Sequence, residues 1–196
     1  PGKYKVSMSM IYRNEEKILI ANAAEFNVYP LNNSSIPTIE RSKLVEFQKE
    51  AYKLAQTVFG LNKFFEELVE RTNKIRQTIS NYSAAPYLLV KQANDISKKL
   101  SEIEFVMKGE PAKASDEEIP PAPVSLNARL YKMISSHYTT NSITDMQRRA
   151  YEILSEEIKP IIEKLKNIDQ VDLKNLESEM NKINAPYTPG RFPDLQ

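Results

Sequence analysis

Hydrophobic and polar residues alternate through the first thirty positions. Tyr4, Val6, Met8 and Met10 share one parity, as do Ile18, Ile20, Ala24, Phe26 and Val28, with a turn near Asn14 between the two runs. A period of two is that of a β-strand with one apolar face, so the segment predicts a β-hairpin. A lone hairpin is marginal in water. Residues 1–30 are therefore expected to be the closing strands of a β-sandwich, in a chain that begins inside a domain of a larger polypeptide.

Beyond a linker of Asn, Ser and Pro at 31–38, the period changes to alternating steps of three and four. Phe47, Ala51, Leu54, Val58, Leu61, Phe65, Leu68, Thr72, Ile75, Ile79 and Tyr82 form one unbroken helical seam. A helix of that length reaches roughly 60 Å, and Gly60 is the expected place for a bend. A break at 81–85 leads to a second helix with Pro86 in its first turn and the seam Leu89, Ala93, Ile96, Leu100, Ile103 and Met107. The short connection predicts that it runs antiparallel to the first. Pro111, Pro120, Pro121 and Pro123, with the acidic run Asp116-Glu117-Glu118, predict a long loop over 108–124.

Ser125 is positioned to cap a third, shorter helix with seam residues Leu126, Leu130, Met133 and His137. Ser142 and Asp145 approximate a capping box for a fourth. Its seam is Tyr151, Leu154, Ile158, Ile161, Leu165 and Ile168, with a kink expected at Pro160. Leu173, Leu176, Met180 and Ile183 continue it past a break at 169–172. The fold class predicted is mainly α: an antiparallel up-and-down bundle of four main helices, the last kinked or split, behind the N-terminal hairpin. The organisation expected is 1–30 hairpin, 31–38 linker, 39–184 bundle and 185–196 an extended tail.

Charge adds a constraint. The 196 residues carry 27 Lys and Arg against 26 Asp and Glu, a net charge of +1, which removes the bulk electrostatic case for nucleic acid or an anionic membrane. The absence of cysteine excludes disulfides, thiolate nucleophiles and cysteine metal sites. No apolar run approaches the roughly 20 residues of a membrane-spanning helix.

Candidate chemistry is sparse. His137 is the single histidine, sits on a seam and has no Ser/His/Asp set or metal triad around it, so it reads as structural. Glu66-Glu67, Glu117-Glu118 and Glu156-Glu157 could be read as acid and base, but adjacent glutamates on a helix point about 100° apart, and a solvated face accounts for them. Lys98-Lys99 and Arg148-Arg149 have acidic neighbours and read the same way. There is no glycine-rich phosphate loop and no nucleophile elbow. No catalytic, cofactor or metal residue is assigned. Tyr82, Tyr87, Tyr131, Tyr138 and Tyr187, with Tyr151, fall near predicted helix ends, where rings pack while hydroxyls stay wet. They are the candidate interaction surface, for peptide or carbohydrate, against a plainer role edging the core.

Three stretches in order carry a family resemblance. Pro-Gly-Lys-Tyr-Lys-Val at 1–6 resembles the penultimate strand of an immunoglobulin-like or fibronectin-like domain. Ser-Leu-Asn-Ala-Arg-Leu at 125–130, with the helix starting from Thr144, and Ala-Pro-Tyr-Thr-Pro-Gly-Arg at 185–191 resemble the late helices and C-terminal end of large bacterial sortilin-like β-propeller proteins with Asp-box (BNR) repeats, often labelled glycosyl hydrolases. The run from Ile11 to Ala24 is longer than that pattern, which leaves the strand register open. The resemblance implies an exported parent whose upstream propeller and β-sandwich are the partners of this region, and whose ligand or glycan site lies in the propeller. No Asp box occurs here, and there is no tryptophan to complete one. The expectation is a non-catalytic accessory or interaction module without cofactors. Its alternatives are a glycan- or peptide-binding adaptor, and part of an enzyme acting on glycosidic bonds.

Overall fold

A computed structural model describes residues 1–12, 16–31, 41–111, 122–135 and 142–193. His137, Tyr138 and the Glu117-Glu118 doublet lie outside the described residues. The chain forms two compact units, Pro1–Ile39 and Glu40–Gln196.

The first unit is a two-stranded antiparallel sheet of β1 (Gly2–Tyr12) and β2 (Glu16–Val28). Tyr4 pairs with Phe26 and Val6 with Ala24, whereas Met8 pairs with Ala21 and Ser9 with Leu19. Two register shifts therefore place two extra residues on β2, which resolves the long run between Ile11 and Ala24. A single shift would turn the rest of the strand over, but two cancel. Met10 consequently pairs with Ile18, in phase with the pairing of Tyr4 and Phe26. The Tyr4 and Phe26 rings stack at 5.9 Å.

The second unit is the helical bundle. Helix α1 (Arg41–Asn81) runs through Gly60 without interruption. A Cβ built at Gly60 meets nothing within 4 Å, so the glycine serves no close approach. Helix α2 (Tyr87–Lys108) begins one residue after Pro86, which is its N-cap and makes no side-chain cap bond. Helix α3 (Leu126–Ile134) starts where expected, with Ser125 Oγ accepting from Ala128 N–H. Helix α4 (Asp145–Asn167) starts from a different cap. Thr144 Oγ1 accepts from Gln147 N–H at 3.3 Å and Gln147 Oε1 accepts from Thr144 N–H at 2.9 Å, so the capping box is Thr144/Gln147 rather than Ser142/Asp145.

The predicted seams form one core. Val58, Phe65, Leu68, Ile75 and Ile79 of α1 are buried, as are all six seam residues of α2 and Leu126, Leu130 and Met133 of α3. Ala55, four after Ala51 and three before Val58, is buried as well, where the predicted seam had Leu54, which is half-buried.

The four helices run up, down, down, up. Arg76 reaches Asn94 and Ser97 on α2, which is antiparallel to α1, and Asn62 bonds Asn127 at the start of α3. A Cβ on Gly109 would lie 3.5 Å from Ser125 Cβ, so α3 starts beside the point where α2 stops. Helices α2 and α3 thus run in the same direction, one beginning beside the end of the other. Helix α4 runs against α3 and parallel to α1, with Phe47 against Tyr151 at one end and Tyr82 Oη donating to Ile183 O at the other.

Pro160 lies inside an uninterrupted α4, and the irregularity falls at Ile168–Leu173, a π-helical turn that leads directly into α5 (Lys174–Lys182). Its cause is legible in the spacing. Every step along the last seam is three or four except Ile168 to Leu173, which is five, and a wider turn absorbs one extra residue without rotating the helix beyond it. Both residues are buried.

Residues 184–191 turn back against the end of α5. Asn184 adopts φ 51°, Ala185 N–H bonds Met180 O and Asn184 N–H bonds Asn181 O, a Schellman closure of α5. Arg191 then donates to Ala185 O, Pro186 O and Asn181 Oδ1.

Three changes test this account. Gly60→Ala is expected to raise the unfolding free energy by about 0.5–1 kcal/mol in chemical denaturation. Deleting Gln170 turns the step of five into a step of four, so it should cost no more than about 1–2 kcal/mol. Deleting Glu163 rotates everything beyond it by about 100° and should unfold the bundle by circular dichroism.

Candidate functional site

The charged side chains with fixed geometry lie between helices and converge on the last one. Arg71 of α1 donates through Nε and Nη2 to both oxygens of Glu177 on α5, each at 2.8 Å, and through Nη1 to Asp169 Oδ1 at 2.9 Å. A planar guanidinium holding a carboxylate by two parallel bonds is the strong geometry for such a pair. Glu177 is only 5% exposed. Lys99 of α2 meets Asp172 at 2.7 Å, and Arg129 of α3 meets Glu157 of α4 at 2.9 Å. Each of the first three helices therefore sends one cation to the fourth column. The π turn supplies two of the acceptors, Asp169 and Asp172, because its wider spacing lets polar residues face neighbours while Ile168 and Leu173 stay in the core.

The tail closes over Arg71. Gly190 has φ 96°, and a Cβ there would overlap the Arg71 guanidinium. Thr188 is buried beside this turn, which Arg191 N–H closes onto Thr188 O. The cluster is a structural lock, since every charge in it is directed at another part of the same chain.

Among the described residues the tyrosines do not make one platform. Tyr82, Tyr87 and Tyr187 belong to the end of the bundle where α1 and α5 finish and α2 starts, whereas Tyr131 is near the end of α3 at the far side. Tyr87, Tyr131 and Tyr187 are exposed. Tyr82 spends its hydroxyl on Ile183 O. Tyr151 packs edge-on against Phe47 at 5.7 Å. The carboxylate doublets also separate: Glu156 pairs with Lys159 on its own helix while Glu157 crosses to Arg129. Lys99 has an interhelical partner, and Arg149 pairs along its helix with Glu152. Among the described residues no group of three or more His, Asp or Glu could hold a metal ion, and no described helix is long and apolar enough to cross a membrane.

A groove runs between α1 and α2. It encloses about 340 Å³ against Phe65 and Val69, with Glu66, Glu70, Lys74 and Glu104 at its mouth. A smaller recess of about 40 Å³ shares Val69, Asn73 and Glu104 with it and is also lined by Thr72, Ser97, Leu100 and Ser101. Sequence reading placed Thr72 on the seam but drew nothing from it. The available signal was a hydroxyl residue in an otherwise apolar row. Arg71 and Glu177 carried no such signal, since each reads as one more charge beside a seam.

Comparisons with protein-family models, with curated proteins and with solved structures give no match.

The lock predicts an asymmetry. Arg71→Met leaves Glu177 buried without its partner and should cost about 3–5 kcal/mol in urea unfolding, whereas Arg71→Met with Glu177→Leu should recover most of that loss.

Proposed function

We propose that this chain is a non-catalytic accessory module whose hairpin adds to a larger β-structure while the helical bundle serves as a rigid support. The observation that carries the reading is the state of the hairpin. Tyr4, Val6, Met8, Met10, Phe26 and Val28 are between 40% and 60% exposed, although they form the apolar face of a two-stranded sheet that is marginal without further cover. Both outer edges also keep unpaired backbone groups. A β-sandwich that accepts the hairpin as its closing strands satisfies the apolar face and one edge together.

The bundle favours the same role. Its interhelical carboxylates Asp169, Asp172, Glu177 and Glu157 are each held by a cation from another helix, which suits rigidity more than turnover. In the sortilin-like proteins that the sequence resembles, a sandwich and a propeller precede such a bundle. We read the parent as an exported protein of that kind, with the ligand or glycan chemistry in its propeller. A second reading, a peptide or glycan adaptor, rests on exposed Tyr87 and Tyr187 at one end of the bundle.

Hydrogen exchange on the 196-residue chain separates a dependent hairpin from a self-sufficient one. The amides of β1 and β2 should be at least about 100-fold less protected than those of α1 and α2. Equal protection would remove the need for a covering domain. Turnover of a glycoside or peptide substrate that is lost in Glu157→Gln or Glu66→Gln would overturn the non-catalytic assignment.

A further inference from the structure

Every residue of β1 from Gly2 to Ile11 is exposed, and the outer edge of this strand has no neighbour in the two-stranded sheet. The two edges of the hairpin are not equivalent. Both extra residues of the register shifts belong to β2, which is therefore interrupted twice between Leu19 and Ala24, while β1 keeps an even alternation over its 11 residues. Bulges blunt an edge against further pairing, whereas a long regular edge invites it. The edge that can take another strand is that of β1.

The sequence of β1 says which strand fits there. Lay a second copy of β1 antiparallel against the first with a two-fold axis through Ser7, and Tyr4 falls opposite the partner's Met10 and Val6 opposite the partner's Met8. Opposed residues of an antiparallel pair share a face, so the apolar face continues unbroken from one copy to the other. Phe26, which stacks on Tyr4 at 5.9 Å, extends the row that Tyr4 makes with the partner's Met10. On the polar face Lys3 falls opposite the partner's Ile11 and Lys5 opposite the partner's Ser9, so no like charges meet. Lys5 keeps its cross-strand ion pair with Glu25 at 3.5 Å. An axis at Lys5 would set two lysines face to face, and a parallel pairing in register would do so at both Lys3 and Lys5. The axis at Ser7 is also the one that pairs the strand over its whole length from Gly2 to Tyr12.

We propose that β1 is a self-complementary docking edge: two copies of this chain pair β1 against β1, antiparallel about Ser7, into a four-stranded sheet. A lone hairpin is marginal and a sheet of three or more strands with an apolar face is not, so the pairing supplies each hairpin with backbone bonds and cross-strand contacts that it lacks. The contact is isologous and closes on itself. It uses one edge and leaves the apolar face and the β2 edge to any covering domain, so it does not rest on the reading of the parent.

The chain contains no cysteine, so single cysteines report the contact without background. Opposed Cα atoms in an antiparallel pair lie about 4.5–5.5 Å apart, within disulfide reach. Under mild oxidation Ser7→Cys should give a disulfide-linked dimer. Lys3→Cys, whose counterpart lies roughly 26 Å away along the paired strands, should not, nor should Asn27→Cys on β2. A mixture of Lys3→Cys and Ile11→Cys chains should give the mixed dimer. In sedimentation equilibrium the unmodified chain should show a monomer–dimer equilibrium that Ser7→Lys weakens by about threefold or more, and an equal mixture of Ser7→Lys and Ser7→Glu chains should restore it. Ser7 is exposed, so these variants read pairing rather than core packing. A monomer at every concentration, cross-linking of Lys3→Cys or Asn27→Cys as fast as Ser7→Cys, or association unchanged in Ser7→Lys would each overturn the proposal, the last by placing the contact elsewhere on the chain.

Discussion

From Asp145 to Lys182 one helical column has to present a single apolar face to three other helices, and its sequence contains one residue too many to do so as a regular α-helix. The extra residue lies between Ile168 and Leu173. A step of five rotates a regular helix by about 140° beyond a full turn, which would swing Leu173, Leu176 and Met180 out of the core. The π turn takes up the excess, and most of the polar architecture depends on it. Asp169 and Asp172 come to face Arg71 and Lys99. Downstream, Glu177 lands where the Arg71 guanidinium can grip both of its oxygens. Register in the bundle is thus fixed twice, once by apolar burial and once by charge.

The two units solve the problem of cover in different ways. The bundle buries its seams against each other, closes α5 on Asn184 and folds its tail back so that Gly190 rests on Arg71. The hairpin has a sound register and a stacked aromatic pair, yet its apolar face is exposed. Two strands by themselves give each apolar side chain cross-strand neighbours but no second layer, so the hydrophobic term that stabilises a sheet is largely unrealised within the hairpin. A supporting role in a larger β-structure is the reading that fits this imbalance.

Polar residues in the bundle divide by what they face. Arg71, Lys99 and Arg129 are directed at carboxylates of the same chain and hold it together. Thr72, one position from Arg71, lines a small recess and its hydroxyl has no partner. Neighbours on α1 thus serve opposite ends, because successive helical residues point about 100° apart. The tyrosines, conspicuous in sequence, are dispersed over both ends of the bundle, and one of them is spent on a backbone carbonyl.

Periodicity alone determined the elements. The strands, the four helices, their buried faces and the irregularity near 169–172 were all legible, because burial acts on every residue of a seam and leaves its mark at each step. Local capping was legible at Ser125 and misplaced at Thr144, where Ser142 offers a hydroxyl of the same kind two residues earlier and only the helix start chooses between them. The direction of α3 was not legible, since a long proline-rich connection is compatible with reversal or return, and contact with Asn62 and Gly109 decides it. Nor could the sequence show that Arg71 meets Glu177, 106 positions away, or that Thr72 lines a recess shared with α2. Hydrophobic pattern is a property of one segment read along its own length. Ion pairs and cavities belong to two segments at once, and they exist only when tertiary packing has brought both into register.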